Sequence, residues 1–156
     1  MQSQNKQALD PPILVIGYMH SGTTLLQQIM GRHKDVLITG GETGFFINYT
    51  TTLEDFPDLD NDETLYAYVE YLLKVICTTY TRVNYTDVPG YVPVDLADFD
   101  VSPADVDDLF QVARSNRSHT ALYPIAFDFL TSKWNKKRWF DKLAGYVSQL
   151  DEMLAV

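Results

Sequence analysis

Ile13-Leu14-Val15-Ile16-Gly17-Tyr18-Met19-His20-Ser21-Gly22-Thr23-Thr24-Leu25-Leu26 is the stretch whose reading decides the fold of this chain. Its four leading apolar residues follow Asp10-Pro11-Pro12, which blocks helix and leads into extended backbone. A short unbroken apolar run of this kind predicts a strand buried on both faces in a parallel sheet. Gly17 ends it. Leu25, Leu26, Ile29 and Met30 then recur at helical spacing, so Thr23 to Arg32 reads as an amphipathic helix. Ser21 and the threonines stand at its start, where side-chain hydroxyls are expected to satisfy the free amides of the first turn. Val36-Leu37-Ile38 is a second short strand, closed by Gly40-Gly41. Strand, helix and strand in that order predict a right-handed βαβ unit.

Outward from this unit the chain changes character. Residues 1–12 read as a flexible tail, and residues 47–137 as a mainly helical region. Asp55 to Asp62 is an acidic loop around Pro57, and Asp62 reads as the cap of a helix from Glu63 to about Thr79, with Leu65, Val69, Leu72, Leu73 and Ile76 along one face. Residues 81–101 read as an irregular loop. Ser102-Pro103 supplies a cap and a first-position proline for a helix running to about Arg114. His119 to about Lys136 reads as a helix interrupted or kinked at Pro124, and a last helix is expected from about Gly145, with Val147, Leu150 and Leu154 on one face.

At 156 residues, 46% apolar and 13% aromatic, the chain is long enough and apolar enough for one domain with a real core. No apolar run approaches the ~20 residues that cross a bilayer, and the N-terminus has no apolar signal region. A soluble, cytoplasmic protein with no transmembrane segment is the expectation. Cys77 is the only cysteine and reads as a buried, inert thiol; His20, His33 and His119 have no metal-ligand spacing, so no metal is expected. The net charge of −9 argues against a nucleic-acid partner. It is unevenly spread: acids dominate from Glu54 to Asp108, whereas Arg114, Arg117, Lys133, Lys136, Lys137, Arg138 and Lys142 make the later segment basic. That segment reads either as a solvated face or as the edge of an anion site.

The spacing Gly17-x4-Gly22-Thr23-Thr24 is that of a nucleotide-binding P-loop, with Thr23 where the lysine belongs. A strand that turns tightly into a helix aims backbone N–H groups and the positive helix end at one point, where a phosphate fits. Gly22 allows close approach, and the hydroxyls of Ser21, Thr23 and Thr24 add donors. The lysine that reaches the β- and γ-phosphates of a triphosphate is missing from the loop, which disfavours γ-phosphoryl transfer.

Val15 to Leu26, followed by His33-Lys34-Asp35-Val36 and by Gly41-Glu42-Thr43-Gly44-Phe45-Phe46, resembles the N-terminal end of the sulfotransferases that use 3′-phosphoadenylyl sulfate (PAPS). Members of that family typically show Gly-x-x-Arg-Ser-Gly-Thr-Thr-Leu, then His-Pro-x-Val, then a Gly-Glu pair before aromatics. The resemblance covers residues 13–46. A weaker echo follows at Arg138-Trp139-Phe140-Asp141-Lys142, similar to the family's Trp-Gly-Glu-Lys-Thr-Pro element, with Leu143-Ala144 in place of Thr-Pro.

The resemblance implies an α/β fold, a P-loop nucleoside-triphosphate-hydrolase-like parallel sheet flanked by helices and incomplete at its C-terminus. Residues 13–46 would be the nucleotide-binding unit, 47–137 the acceptor side, and 138–156 the lysine element and a helix. By the same resemblance, His20, Ser21, Gly22, Thr23, Thr24 and Leu25 would hold the 5′-phosphosulfate. Glu42 would take the proton from the acceptor hydroxyl, and Lys142 would stabilise charge on the transferring sulfuryl group. His20 replaces the usual arginine or lysine, and as an imidazolium would partly substitute for it at the sulfonate. PAPS is the implied co-substrate and a small molecule, lipid or carbohydrate the implied acceptor. The Arg-Asp strand and the serine that bind the 3′-phosphate in the family do not occur in this sequence, so weak or no activity is expected of this chain alone. Two other classes remain compatible with the residues, a non-catalytic remnant or interaction module on the same scaffold and a P-loop nucleotide kinase. Phe45, Phe46, Trp134 and Trp139 read as core.

Overall fold

The apolar run becomes strand β1 (Ile13–Gly17), which leads through the glycine-rich turn into helix α1 (Thr23–Gly31) and then strand β2 (Val36–Ile38). The computed structural model describes residues 9–18, 21–38, 43–45, 48–78 and 101–144. The expected loop at 81–101, apart from Val101, and the expected helix after Gly145 lie outside the described residues, as do Gly40 and Gly41. Helices α2 (Tyr49–Asp55), α3 (Asp62–Thr78), α4 (Pro103–Ala113) and α5 (His119–Lys133) follow, and the described chain ends in strand β3 (Arg138–Ala144). The fold is α/β, a three-stranded parallel sheet with helices packed against it.

The strand order is β1-β3-β2. The βαβ unit therefore spans a gap of one strand, and β3 fills it from the far end of the sequence. Ile13 to Gly17 pair with Phe140 to Ala144 on one side, and Val36 to Ile38 pair with Arg138 to Phe140 on the other. The sequence reading gave residues 138–156 a lysine element and a helix. The lysine element, which the sequence leaves without a secondary-structure assignment, is the central strand; Asp141 and Lys142 interrupt the apolar pattern that marks such strands.

Side chains alternate along β3. Phe140 joins Val36, Ile38, Ile13, Val15 and Met30 beneath α1. Trp139 and Leu143 join Leu37 in the larger core built by α3, α4 and α5. Burial on both faces, expected for β1, is partial on one face and lacking on the other. Ile13 and Val15 turn to α1, but Leu14 and Ile16 are 42% and 36% exposed, because the helical layer packs over β3 and leaves the opposite face of β1 open.

The helical layer follows its patterning closely. Leu65, Val69, Leu72, Leu73 and Ile76 of α3 are all buried, and Leu109 of α4 and Leu122, Phe127 and Leu130 of α5 pack with them. Each such side chain contributes about 1.5–3 kcal/mol by leaving water. Cys77 is buried in the same cluster. The cap of α3 is Asn61, not Asp62: its Oδ1 accepts from the Glu63 and Thr64 amides at 2.8 and 3.1 Å. Asp62 is the first helical residue, and its carboxylate faces Arg117 and Arg114 instead. Ser102 caps α4 with Pro103 at the first position, as the sequence indicates, and the structure adds a reciprocal capping box with Asp105. Helix α5 carries Pro124 inside one continuous element and stops at Lys133, three residues short of expectation, where Asn135 takes a left-handed φ of 53° and the Lys136 amide turns back to the Thr131 carbonyl at 2.9 Å.

Candidate functional site: the loop between β1 and α1

The loop folds back onto the end of the strand that delivers it. The Ser21 amide donates to the Tyr18 carbonyl at 3.1 Å. A Cβ on Gly17 would stand 2.6 Å from Ser21 Oγ and 2.9 Å from Thr23 Cγ2, so the tight return needs a bare backbone there. Gly22 takes φ +87° and is itself the N-cap of α1. The cap position thus falls on a residue without a side chain, one place after Ser21. The helix closes through the Leu26 amide on the Gly22 carbonyl at 3.1 Å. The first-turn amides ahead of Leu26 have no partner within the helix, and they add to the positive end of its dipole. Thr23 is buried, whereas the side chain of Leu25 is 62% exposed.

Lys142 arrives at this first turn from across the sheet. It pairs in register with Val15 on the central strand, on the face covered by α1. Its Nζ donates to Thr24 Oγ1 at 3.1 Å across 118 residues of sequence, and the residue is only 7% exposed. A cation from β3 thus stands beside the first turn of the helix that the loop opens. Ala144, two residues on, lies opposite Gly17, so the strand's carboxyl end and the start of the loop are neighbours.

On the opposite face of β3 sits Asp141, 0% exposed. Its Oδ2 accepts from Thr43 Oγ1 at 2.9 Å and from the Tyr123 hydroxyl, and its Oδ1 accepts from the Lys142 amide at 2.8 Å. Tyr123 also stacks on Phe45, with centroids 4.4 Å apart and planes at 30°. Residues 43–45 are therefore pinned to β3 by a hydrogen bond and to α5 by a ring contact. Asp141 and Tyr123 were not singled out in the sequence. The one available signal was an acid next to a candidate lysine between aromatics.

Of the residues named from sequence, Ser21, Gly22, Thr23, Thr24, Leu25 and Lys142 come together at one end of the sheet. His20 and Glu42 lie outside the described residues, although each is bonded directly to a described one, Ser21 and Thr43. Among the described residues no three His, Cys, Asp or Glu side chains converge as a metal site, and no helix is long and apolar enough to cross a membrane.

No curated protein and no solved structure matches the chain. A family model described as "Sulfotransferase family" matches residues 11–156, from the proline pair before β1 through the loop, the helical layer and β3. With that match over almost its whole length, the chain belongs to the sulfotransferase family.

Proposed function

We propose that this chain binds PAPS through the β1–α1 loop and transfers its sulfuryl group to a hydroxyl or amine acceptor. The observation that carries this reading is the Lys142 ammonium at Thr24, in the first turn of the helix that the loop opens. The cradle fits a phosphosulfate. Gly17 leaves room for the tight return, Gly22 needs no side-chain cap, and the amide donors of the first turn share one end of the sheet with a nearly buried cation. A monoanionic sulfonate next to a phosphate needs no metal bridge of the kind that triphosphates use.

Each residue has a definite task in such a transfer. The acceptor oxygen or nitrogen forms a bond to sulfur as the bond from sulfur to the bridging phosphate oxygen breaks, leaving adenosine 3′,5′-bisphosphate. Glu42 takes the acceptor's proton, a role usually worth about 10²–10⁴ in rate. Lys142, the Thr24 hydroxyl and the first-turn amides of α1 meet the charge that builds on the departing oxygen, where one donor is worth about 10²–10³ in kcat. By the family resemblance, His20 and Ser21 belong to the group that holds the phosphosulfate. The acceptor, a small molecule, lipid or carbohydrate, approaches from the helical side.

The test is calorimetric titration of the purified chain with PAPS, together with release of radiolabelled sulfate or transfer to an added acceptor. Saturable binding that Thr24→Val and Lys142→Met both weaken, with turnover that Glu42→Gln abolishes, is the expected result. Absence of PAPS binding by the wild-type chain, or binding indifferent to both loop-side substitutions, overturns the proposal.

A further inference from the structure

A carboxylate buried to 0% exposure in an apolar layer is a costly choice unless it organises something. Asp141 joins three segments that are distant in sequence: its own strand β3, helix α5 through Tyr123, and the Thr43–Phe45 turn that follows β2. The Thr43 bond spans 98 residues. The same carboxylate accepts the amide of Lys142, the residue whose ammonium reaches Thr24. One side chain thus touches both the backbone that carries the site's cation and the turn joined directly to Glu42. Thr43 is the neighbour of Glu42 in sequence, so its anchoring holds the described chain at that junction.

We propose that Asp141 is a positioning residue for sulfuryl transfer, its carboxylate setting the separation between the Thr43–Phe45 turn and the Lys142–Thr24 pair through the hydroxyl of Thr43. The inference rests on the proposed function. Its mechanism is geometric: a base displaced by about 1 Å loses about 10²-fold in rate without losing the nucleotide. Phe45 stacked on Tyr123 keeps the turn docked when the Thr43 bond is cut, so the fold outlasts the loss of alignment.

The experiment compares wild type, Thr43→Val, Thr43→Ser, Glu42→Gln and the double variant Thr43→Val/Glu42→Gln. Three quantities are read for each: affinity for adenosine 3′,5′-bisphosphate by calorimetry, single-turnover sulfate release from PAPS with water as acceptor, and the thermal midpoint. Thr43→Val is expected to hold the affinity within about twofold and to lower turnover by about 10- to 100-fold. Serine, which restores the hydroxyl, should restore the rate. The double variant should be no slower than Glu42→Gln alone, because alignment matters only while there is a base to align. Asp141→Asn, which keeps one acceptor and the side-chain shape, should fall between wild type and Thr43→Val. Unchanged turnover in Thr43→Val, additive losses in the double variant, or a rate loss that tracks the thermal midpoint each overturn the inference while leaving the proposed function standing. A wild-type chain that releases no sulfate and is indistinguishable from Glu42→Gln overturns the proposed function, and the positioning role falls with it.

Discussion

Replacing Lys142 with methionine separates what this residue does for binding from what it does for the fold. The ammonium lies 3.1 Å from Thr24 Oγ1 at the head of α1, 7% exposed, so an anion held by the first-turn amides sits within a few ångströms of it. Two unit charges about 4 Å apart interact by about 4 kcal/mol at an effective dielectric of about 20. Desolvation offsets part of that, which leaves the ~1.5–3 kcal/mol usual for a hydrogen bond to a charged group. At about 1.4 kcal/mol per decade, Lys142→Met should weaken adenosine 3′,5′-bisphosphate by about 10- to 150-fold. Methionine keeps the length of the stem and its packing between α1 and the sheet. Thr24 Oγ1, the partner seen for the ammonium, is a neutral hydroxyl, so its loss leaves no opposite charge stranded there, which is what makes breaking a buried ion pair costly. The thermal midpoint should therefore stay within about 4 °C of wild type. Calorimetry of the two proteins, with a thermal scan of each, reads both numbers. The loss should persist at raised salt, since a contact this buried is screened far less than a surface pair. Equal affinity in the two proteins would refute the reasoning, and so would a collapse of the midpoint, because Lys142 would then be serving the sheet rather than the ligand.

Two further predictions concern the local structure that supports the site. Gly22→Ala forces a Cβ into φ +87° and should cost about 1–2 kcal/mol in urea denaturation, whereas Gly22→Asn should cost less; equal stability of all three proteins would contradict the left-handed cap. Asp105→Ala removes the return bond to the Ser102 amide at 2.7 Å and the ion pair with Lys133, for a loss of about 2–4 kcal/mol at neutral pH. Burial pushes the Asp105 carboxyl upward, but Lys133 and Ser102 outweigh it and hold it below the usual carboxylate range. A group lowered on folding stabilises above its unfolded value and loses that contribution as pH falls through the folded one. The gap between wild type and Asp105→Ala should accordingly be full above about pH 4 and narrow below it. A gap independent of pH from neutral to about pH 2.5 would show that the carboxylate's charge is not what matters.

Much of this protein was legible from local chemistry. The apolar run, the two loop glycines and the helical repeat after them gave β1, the turn and α1, because strand pairing, backbone permissiveness and helical periodicity act within a few residues of one another. The cap at Ser102 with Pro103 after it and the apolar face of α3 are readable for the same reason. Smaller differences lie at the helix starts. Asn61 takes the cap expected of Asp62, whose carboxylate faces Arg117 and Arg114, and Gly22 with its left-handed φ occupies the cap position of α1.

What only the tertiary structure decided is the partnership of the loop with β3. The residues alone indicate an anion-binding turn without its lysine; only the family resemblance implies that Lys142 joins it, and no strand is assigned to the stretch that carries it. Parallel pairing placed that stretch between β1 and β2, and its register then sent alternate side chains to opposite faces, Lys142 to Thr24 and Asp141 to Thr43. Contacts across 118 and 98 residues depend on which strand fills the gap in the sheet, a choice made by the burial of Trp139, Phe140 and Leu143 against two separate layers. No local pattern around either charged residue encodes it.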